Sequence, residues 1–322
     1  MERHDGLNGL PAGLRFAATL GIFDGVHRGH LALLRRLVEL AEGDGVEPVV
    51  VTFEPHPDAV LLGAPPPLLS DPLETEARLA SIGIAHLVLQ RFDAVFAGLS
   101  ATTFVEMLAA ERHLVALVMT PESAFGHGRQ GTVPFVRQLG RQMAFRVEEV
   151  EPLRLGGAVI GSTRIRAELG AGHLAKAARL LGRRAAVTGT VVRGDGRGRQ
   201  LGFPTANLAF GAPVALPPDG IYAAQVGWGG HDPLRPRRHA GGVVSLGVRP
   251  TFGGGARVLE VYLLDVDEDL YGQRLRVEFV RRQRGERRFA TAAALIKQMG
   301  RDAARARVIL GRVGASGPGS PR

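Results

Sequence analysis

Short apolar runs rich in Val, Ile and Leu recur through the first half of the chain, at residues 16–20, 48–53, 85–89 and 114–119. Between them the apolar positions change to a helical period. Leu31, Leu34, Val38 and Ala41 fall on one face, and so do Phe104, Met107 and Leu108 in the segment from Ala101. Strands alternating with helices of this length predict a parallel sheet covered by helices on both sides. Ligands of such sheets sit beyond the carboxyl ends of the strands. Two polar segments fall there, residues 21–30 and the Thr-Phe-Glu-Pro-His-Pro run at 52–57.

The pattern changes near residue 185. Residues 187–192, 221–226, 242–246, 258–266 and 274–280 have the character of strands with no helix between them. Gly and Pro clusters separate them at 194–198, 213–220 and 253–255. Many short strands with such turns predict an antiparallel barrel or sandwich. A helical pattern returns over residues 290–310, as one helix packed on that barrel. The tail from Gly314 onward is Gly, Ser and Pro rich and is expected to be disordered. There is no internal repeat. A chain of 322 residues suits two cores rather than one. The expected division is 1–184, 185–312 and a tail at 313–322.

Hydrophobic residues at 45% and charged residues at 22% match a soluble globular protein. No apolar run reaches the roughly 18 residues that span a bilayer, and residues 1–15 lack the apolar stretch of a secretion signal. A cytoplasmic protein is therefore expected. The absence of cysteine excludes disulfides, thiolate zinc sites and thiol nucleophiles. The formal charge of +9 is uneven: −1 through Arg184 and +10 beyond it. The basic residues are scattered among apolar segments, and base-stacking aromatics are few, with Trp228 the single tryptophan. Small anionic nucleotides are thus favoured over nucleic acid as partners. Lysine is confined to Lys176 and Lys297, and no Gly-Lys-Ser/Thr occurs, which excludes a P-loop.

Residues 21–30 read Gly-Ile-Phe-Asp-Gly-Val-His-Arg-Gly-His. Glycines at a strand-to-helix junction let the backbone approach an anion, and the helix N-terminus turns free N–H groups and its positive dipole end toward it. His27 and His30 add imidazoles that stabilise charge developing on an attacked phosphorus. A second cluster, Gly161-Ser162-Thr163-Arg164-Ile165-Arg166, precedes a helical pattern. Ser162 or Thr163 would cap that helix, and the arginines supply charge-assisted hydrogen bonds to phosphate. Taken alone, a Ser or Thr at such a place is usually only a cap. With the histidine turn it makes a two-sided clamp on a nucleoside triphosphate.

These two clusters resemble the nucleotidyltransferase superfamily, and further motifs narrow the likeness. Residues 52–57 and the Phe125-Gly126-His127-Gly128-Arg129-Gln130-Gly131 segment occur in the same order in the bacterial bifunctional riboflavin kinase/FMN adenylyltransferases, the prokaryotic FAD synthetases. The second half is similar to that family's kinase signature at residues 194–207, which end in Pro204-Thr205-Ala206-Asn207. It is similar again at 246–252, at Leu259-Glu260-Val261 with Asp265, and at Leu270-Tyr271-Gly272. The resemblance covers roughly residues 16–310. It implies a Rossmann-like nucleotidyltransferase domain with a parallel sheet, then an antiparallel β-barrel riboflavin kinase domain with a C-terminal helix. The implied activity is phosphorylation of riboflavin to FMN with ATP, then adenylylation of FMN to FAD with release of pyrophosphate.

The resemblance also implies roles. Gly21, Phe23, Asp24, Gly25, His27, His30, Arg129, Ser162, Thr163 and Arg166 would bind ATP in the adenylyltransferase. Gly194, Gly198, Gly202, Phe203, Pro204, Thr205, Asn207, Arg284 and Glu286 would bind ATP and flavin in the kinase. Glu260 would be the base that takes the proton of the riboflavin 5′-hydroxyl. Residue types support part of this. Thr205 and Asn207 are two apart, so on an extended strand they share a side. Their oxygens suit Mg²⁺, which takes a few protein oxygens together with ATP phosphates. Without the resemblance, the same residues read as a polar turn after Pro204 and an exposed strand position at Glu260.

One segment departs from the family pattern. Where the family has Gly-x-Asp/Asn-Phe-x-Phe-Gly, this chain has Thr120-Pro121-Glu122-Ser123-Ala124-Phe125-Gly126. Gly161 and Tyr262 also replace a usual serine and histidine. The departures leave two alternatives beside the bifunctional enzyme. One is a riboflavin kinase with a weakened adenylyltransferase; the other is a non-catalytic flavin- or nucleic-acid-binding regulator, suggested by the basic second half.

Overall fold

The computed structural model describes residues 1–248 and 257–314. It forms two compact units, Met1–Pro66 with Pro72–Ser162, and Pro67–Asp71 with the chain from Thr163 onward.

The first unit is built on six parallel strands: β1 (Glu2–Asp5), β2 (Arg15–Leu20), β3 (Glu47–Glu54), β4 (His86–Arg91), β5 (His113–Met119) and β6 (Arg146–Glu149). Their order is β1-β4-β3-β2-β5-β6. The four inner strands are the four predicted apolar runs, buried on both faces as parallel strands are. The outer strands β1 and β6 read Glu-Arg-His-Asp and Arg-Val-Glu-Glu. Their polarity suits an edge and hides them from a search for apolar runs.

Alternate residues divide between two cores. Phe16, Ala18, Val49 and Val51 face α3 (Ala101–Ala109) and α4 (Val133–Met143). Ala17, Val50 and Val118 face α1 (Arg28–Asp44) and α2 (Pro72–Ile82). On α1 the fully buried residues are Leu33, Leu34, Leu37, Leu40 and Ala41, with Leu31 and Val38 at the margin of the stripe. Ser100 caps α3 through the Thr103 N–H at 3.0 Å, and Gly45 ends α1 at φ 61°. The chain leaves β2 toward β3 and β4 on one side and takes up β5 and β6 on the other. The switch point therefore lies between β2 and β5, and the loop after β2 opens there.

The second unit holds α5 (Ser162–Gly170, grouped here from Thr163), α6 (Leu174–Leu181) and a closed antiparallel barrel. The barrel strands are β7 (Ala186–Val192), β8 (Ala206–Ala209), β9 (Gly220–Trp228), β10 (Arg238–Val248), β11 (Arg257–Leu263) and β12 (Arg274–Arg284). They close in the order β7-β8-β11-β10-β9-β12. The short β8 begins at the end of the polar signature and offers no apolar run of its own. The compact units part after Ser162, whereas the sequence suggested Arg184. Leu174 packs against the barrel core, and Arg166 Nε donates to the Pro67 carbonyl of the same unit at 2.7 Å.

Inside the barrel, Leu208, Tyr222, Val244, Leu259, Val261 and Phe279 form the core. Alternation sends their neighbours outward, among them Asn207, Ser245 and Glu260. The C-terminal helix α7 (Ala292–Gly314) covers part of this outer face through Ala303 and Ala306, against Ala223 and Leu264. It extends four residues past Leu310 and takes in Gly314, where the tail was expected to begin. Residues 315–322 lie outside the described residues. So do 249–256, which carry most of the Leu-Gly-Val-Arg-Pro-Thr-Phe motif.

Candidate functional sites

The histidine turn is a strained, densely packed loop between β2 and α1. Gly25 and Val26 both have positive φ, 81° and 34°. A β-branched residue there is an outlier that costs about 1–3 kcal/mol and persists only where its surroundings enforce it. Val26 is buried, as are Phe23, Asp24 and His27. His27 is the residue before α1, and its Nδ1 accepts the His30 backbone N–H at 3.2 Å. The proton of the neutral ring therefore sits on Nε2.

The two imidazoles stack, with centroids 3.6 Å apart and planes 19° from parallel. Phe23 meets His30 edge-on at 5.1 Å. Burial, and secondarily His27, hold the His30 imidazole well below the ordinary histidine range, so it is neutral at pH 7. Its Nδ1 is buried without a hydrogen-bond partner among the described residues. Gly29 is required by packing: a methyl group there would stand 2.9 Å from the Ile160 carbonyl oxygen and 3.2 Å from the His27 ring. The result is a fixed pair of stacked rings at a helix N-terminus, with His30 neutral, which suits an anion.

Ser162 belongs to this site differently from the expectation. It is the first residue of α5 rather than a residue before it, and its hydroxyl donates to the Asp24 carbonyl at 3.1 Å. That bond ties the second cluster's start to the histidine turn within one unit. Thr163 and Arg166 follow in α5, which groups with the other unit. Arg129 is exposed at φ 58°, its guanidinium donating to the Glu122 carbonyl at 3.3 Å.

The departing segment closes upon itself. The Ser123 N–H donates to the Thr120 carbonyl at 2.9 Å, the Thr120 N–H donates to Ser123 Oγ at 3.0 Å, and the two hydroxyls are 2.9 Å apart. Threonine and serine thus form a self-satisfied turn where the family has glycine and an aromatic residue.

In the barrel, β8 and β11 pair so that Asn207 stands directly opposite Glu260, and Ser245 of β10 stands beyond it. Thr205, immediately before β8, donates to Glu260 Oε2 at 3.5 Å. Residues 55 positions apart thereby converge on one outward face. Close backbone approach explains two glycines here. A methyl on Gly194 would stand 2.3 Å from Asn207 Nδ2, and one on Gly198 would stand 2.4 Å from the Phe203 carbonyl oxygen. Gly202 turns at φ 80°. Threonine, asparagine and glutamate together offer hard oxygen donors, a set that fits Mg²⁺.

A cavity of about 320 Å³ abuts Thr205 and Pro204, walled by Arg199, Asp267, Leu270 and Tyr271. Its acidic wall escaped sequence reasoning, which singled out Leu270 and Tyr271 only by resemblance. Two other candidates are placed elsewhere. Arg284 forks onto Asp302 of α7 at 2.7–3.1 Å, with the two side chains 14% and 7% exposed. The Glu286 carboxylate occupies the space that a side chain on Gly247 would fill. Phe203 packs edge-on to Tyr262 at 5.2 Å.

Two separate nucleotide-handling arrangements, one on a parallel sheet and one on a barrel, define a two-module transferase. The comparisons agree on both modules. The sequence model of the FAD synthetase family matches residues 13–164, and that of riboflavin kinase matches residues 181–310. The bifunctional riboflavin kinase/FMN adenylyltransferase of Escherichia coli K12 is 37% identical over 91% of this chain and 92% of its own length. That of Pseudomonas fluorescens is 36% identical over 91% and 92%. A solved structure described as a macrolide-efflux protein from Streptococcus pneumoniae superposes with a TM-score of 0.82 at 29% identity, covering 95% of this chain and 98% of that one. Among the described residues, no helix is long and apolar enough to cross a membrane. The chain belongs to the bifunctional riboflavin kinase/FMN adenylyltransferase family.

Proposed function

We propose that this chain converts riboflavin and ATP to FMN and ADP in its barrel, and FMN and ATP to FAD and pyrophosphate on its parallel sheet. The observation that carries the kinase assignment is the convergence of Thr205, Asn207 and Glu260 on one face of the barrel. Glu260 takes the proton of the riboflavin 5′-hydroxyl as that oxygen attacks the γ-phosphorus, and ADP leaves. Thr205 and Asn207 would hold Mg²⁺, which screens phosphate charge when bound. Gly194, Gly198 and Gly202 keep backbone close to the phosphates, and the cavity beside Thr205 has room for the rest of the nucleotide. Arg284 acts through Asp302, as a brace between β12 and α7, and so sets the wall on which the flavin is proposed to rest near Glu286.

In the adenylyltransferase, an FMN phosphate oxygen attacks the α-phosphorus of ATP and pyrophosphate departs without a covalent enzyme intermediate. His27 Nε2–H and the neutral His30 steady the charge that develops, and Gly21, Phe23, Asp24 and Gly25 shape the loop around the triphosphate. Ser162, Thr163, Arg166 and Arg129 are proposed as further phosphate contacts. ATP consumption in both reactions supports a cytoplasmic location. The basic second half is extensively ion-paired, including Arg257–Asp219, Arg274–Asp71 and Arg276–Glu278. That pairing supports small anionic substrates over a nucleic-acid surface.

A second reading, a kinase with a weakened adenylyltransferase, is favoured by the self-satisfied Thr120–Ser123 turn. Incubating the protein with FMN, ATP and Mg²⁺ and separating the flavins by chromatography decides between them. Accumulating FAD removes the second reading, and FMN that stays unconverted establishes it.

A further inference from the structure

The edge strand β1 carries a cluster that neither flavin reaction uses. Glu2 and His4 alternate along β1 and project from one face of the sheet, and the parallel register sets Glu2 opposite His86 of β4. His4 Nε2 lies 3.0 Å from His86 Nδ1. Glu2 Oε2 lies 3.8 Å from the first nitrogen and 3.7 Å from the second. The imidazoles are largely buried, while Glu2 reaches in from solvent. Arg3, between the two β1 residues, turns to the opposite face and pairs with Glu76 at 3.0 Å.

Ligand atoms bound to a tetrahedral cation at 2.0–2.1 Å stand about 3.3 Å apart. The three atoms here already form a triangle whose edges differ from that by about half an ångström or less. A histidine–histidine hydrogen bond accounts for one edge only. It does not explain why a carboxylate oxygen stands nearly equidistant from both nitrogens, or why Glu47 at the start of β3 adds a further negative charge acting on His86. Two imidazoles and a carboxylate select first-row transition ions over Mg²⁺ or Ca²⁺, which prefer oxygen alone.

We propose that Glu2, His4 and His86 form a binding site for a divalent transition-metal ion of the Zn²⁺ class, with water completing its shell. No thiolate competes for such an ion, since the chain has no cysteine. The ion would clip the four-residue β1 to β4. β1 runs directly into Asp5, Gly6, Leu7 and Asn8, which wall a cleft of about 430 Å³ with Glu54 and Arg91 at the carboxyl ends of the strands. A clip at the strand's start therefore steadies that wall from a distance, without touching it.

The test uses the full chain freed of metal by a chelator and then titrated with Zn²⁺ in a calorimeter. The wild type is expected to take up one equivalent that the His4→Gln/His86→Gln variant loses, with affinity for that equivalent reduced at least about a hundredfold. Outer-shell changes alone cost ten- to a hundredfold, and losing two ligands costs no less. Glu2→Gln, at an exposed position that folding tolerates, weakens binding about tenfold. Co²⁺ gives the visible bands of tetrahedral coordination in the wild type and not in the double variant. Zn²⁺ raises the melting temperature of the wild type and not that of the double variant. Both flavin reactions with ATP and Mg²⁺ stay at wild-type rates in Glu2→Gln, so the site's failure and the enzyme's failure are separable. Equal Zn²⁺ stoichiometry and affinity in the wild type and both variants overturns the proposal, as does a wild type that takes up none.

Discussion

The two proposed sites would solve the same problem, holding a nucleoside triphosphate, with opposite materials. On the sheet, the functional groups are contiguous in sequence and buried in a loop with two left-handed residues, as stacked imidazoles at a helix N-terminus with His30 neutral. On the barrel they come from paired strands far apart in sequence, lie on an outward face, and include a carboxylate. The difference follows the chemistry. Adenylyl transfer needs developing charge to be stabilised and no proton removed by the protein, because the attacking phosphate is already an anion. Phosphorylating a hydroxyl requires a base. A loop at a switch point supplies donors from one stretch of chain, whereas a β register can set the proposed base opposite the oxygens proposed to hold Mg²⁺ with no flexible connection between them.

The sharpest way to break this comparison is to remove each site's defining group. Glu260→Ala should lower FMN formation by about a thousandfold, within the 10²–10⁴ range of a lost general base, and leave FMN-to-FAD conversion near wild type. His27→Ala should do the reverse, lowering FAD formation by about 10²–10³-fold. The latter also loses the cap on α1, about 1 kcal/mol. Flavin chromatography with riboflavin or FMN as starting material reads both. One substitution that silences both reactions in a folded protein would defeat the idea of independent sites.

Stability offers the next contrast. Asp302→Ala strands the largely buried Arg284 guanidinium, a loss of about 3 kcal/mol that should lower the melting temperature by about 6–12 °C in a unit of this size. The histidine turn packs Phe23, Val26 and His27 into the interior of its own unit. If Asp302→Ala melts like the wild type, α7 is not braced to the barrel through this pair.

How much could be read beforehand differs between the two regions for the same reason. The histidine turn is local, so its residues, helix and place beyond β2 were all legible in one decapeptide. The inner strands were legible because both faces are buried, while β1 and β6 were hidden by their edge polarity. On the barrel, alternation revealed the long strands, but the Thr205–Glu260 contact depends on a register that no single stretch encodes. Arg284 shows the limit most clearly. A charge run looks alike whether an arginine meets solvent, flavin or Asp302, and only the packing of α7 decides. Ser162 likewise reads as a cap by residue type, yet its hydroxyl turns to Asp24.

A smaller effect sharpens the barrel side. Gly194→Ala places a methyl where the Asn207 amide now lies, 2.3 Å away. The amide is the end of a side chain and can rotate aside, so the protein should fold, while misplacement of a metal-holding oxygen lowers kinase activity about 10–100-fold. The loss should appear in FMN formation alone. A Gly194→Ala enzyme with wild-type FMN formation would show that Asn207 does not hold its position for the reaction.

The smallest effect belongs to the sheet and comes from pH. His30 has its pKa held below that of a histidine in the unfolded chain, chiefly by burial. As pH falls below about 6.5, the unfolded chain takes up a proton that the native protein refuses, so stability declines with acidification. Above that pH both states are neutral and this contribution vanishes. His30→Gln cannot titrate, so its unfolding midpoint in urea should change less between pH 7.5 and pH 5.5 than that of the wild type, a comparison that cancels other groups. Phosphate binding at the turn should oppose the decline, because an anion favours the protonated ring. If the wild type and His30→Gln fall in parallel, the imidazole is not kept neutral by the loop, and the contrast between a neutral His30 on the sheet and a carboxylate on the barrel loses its physical basis.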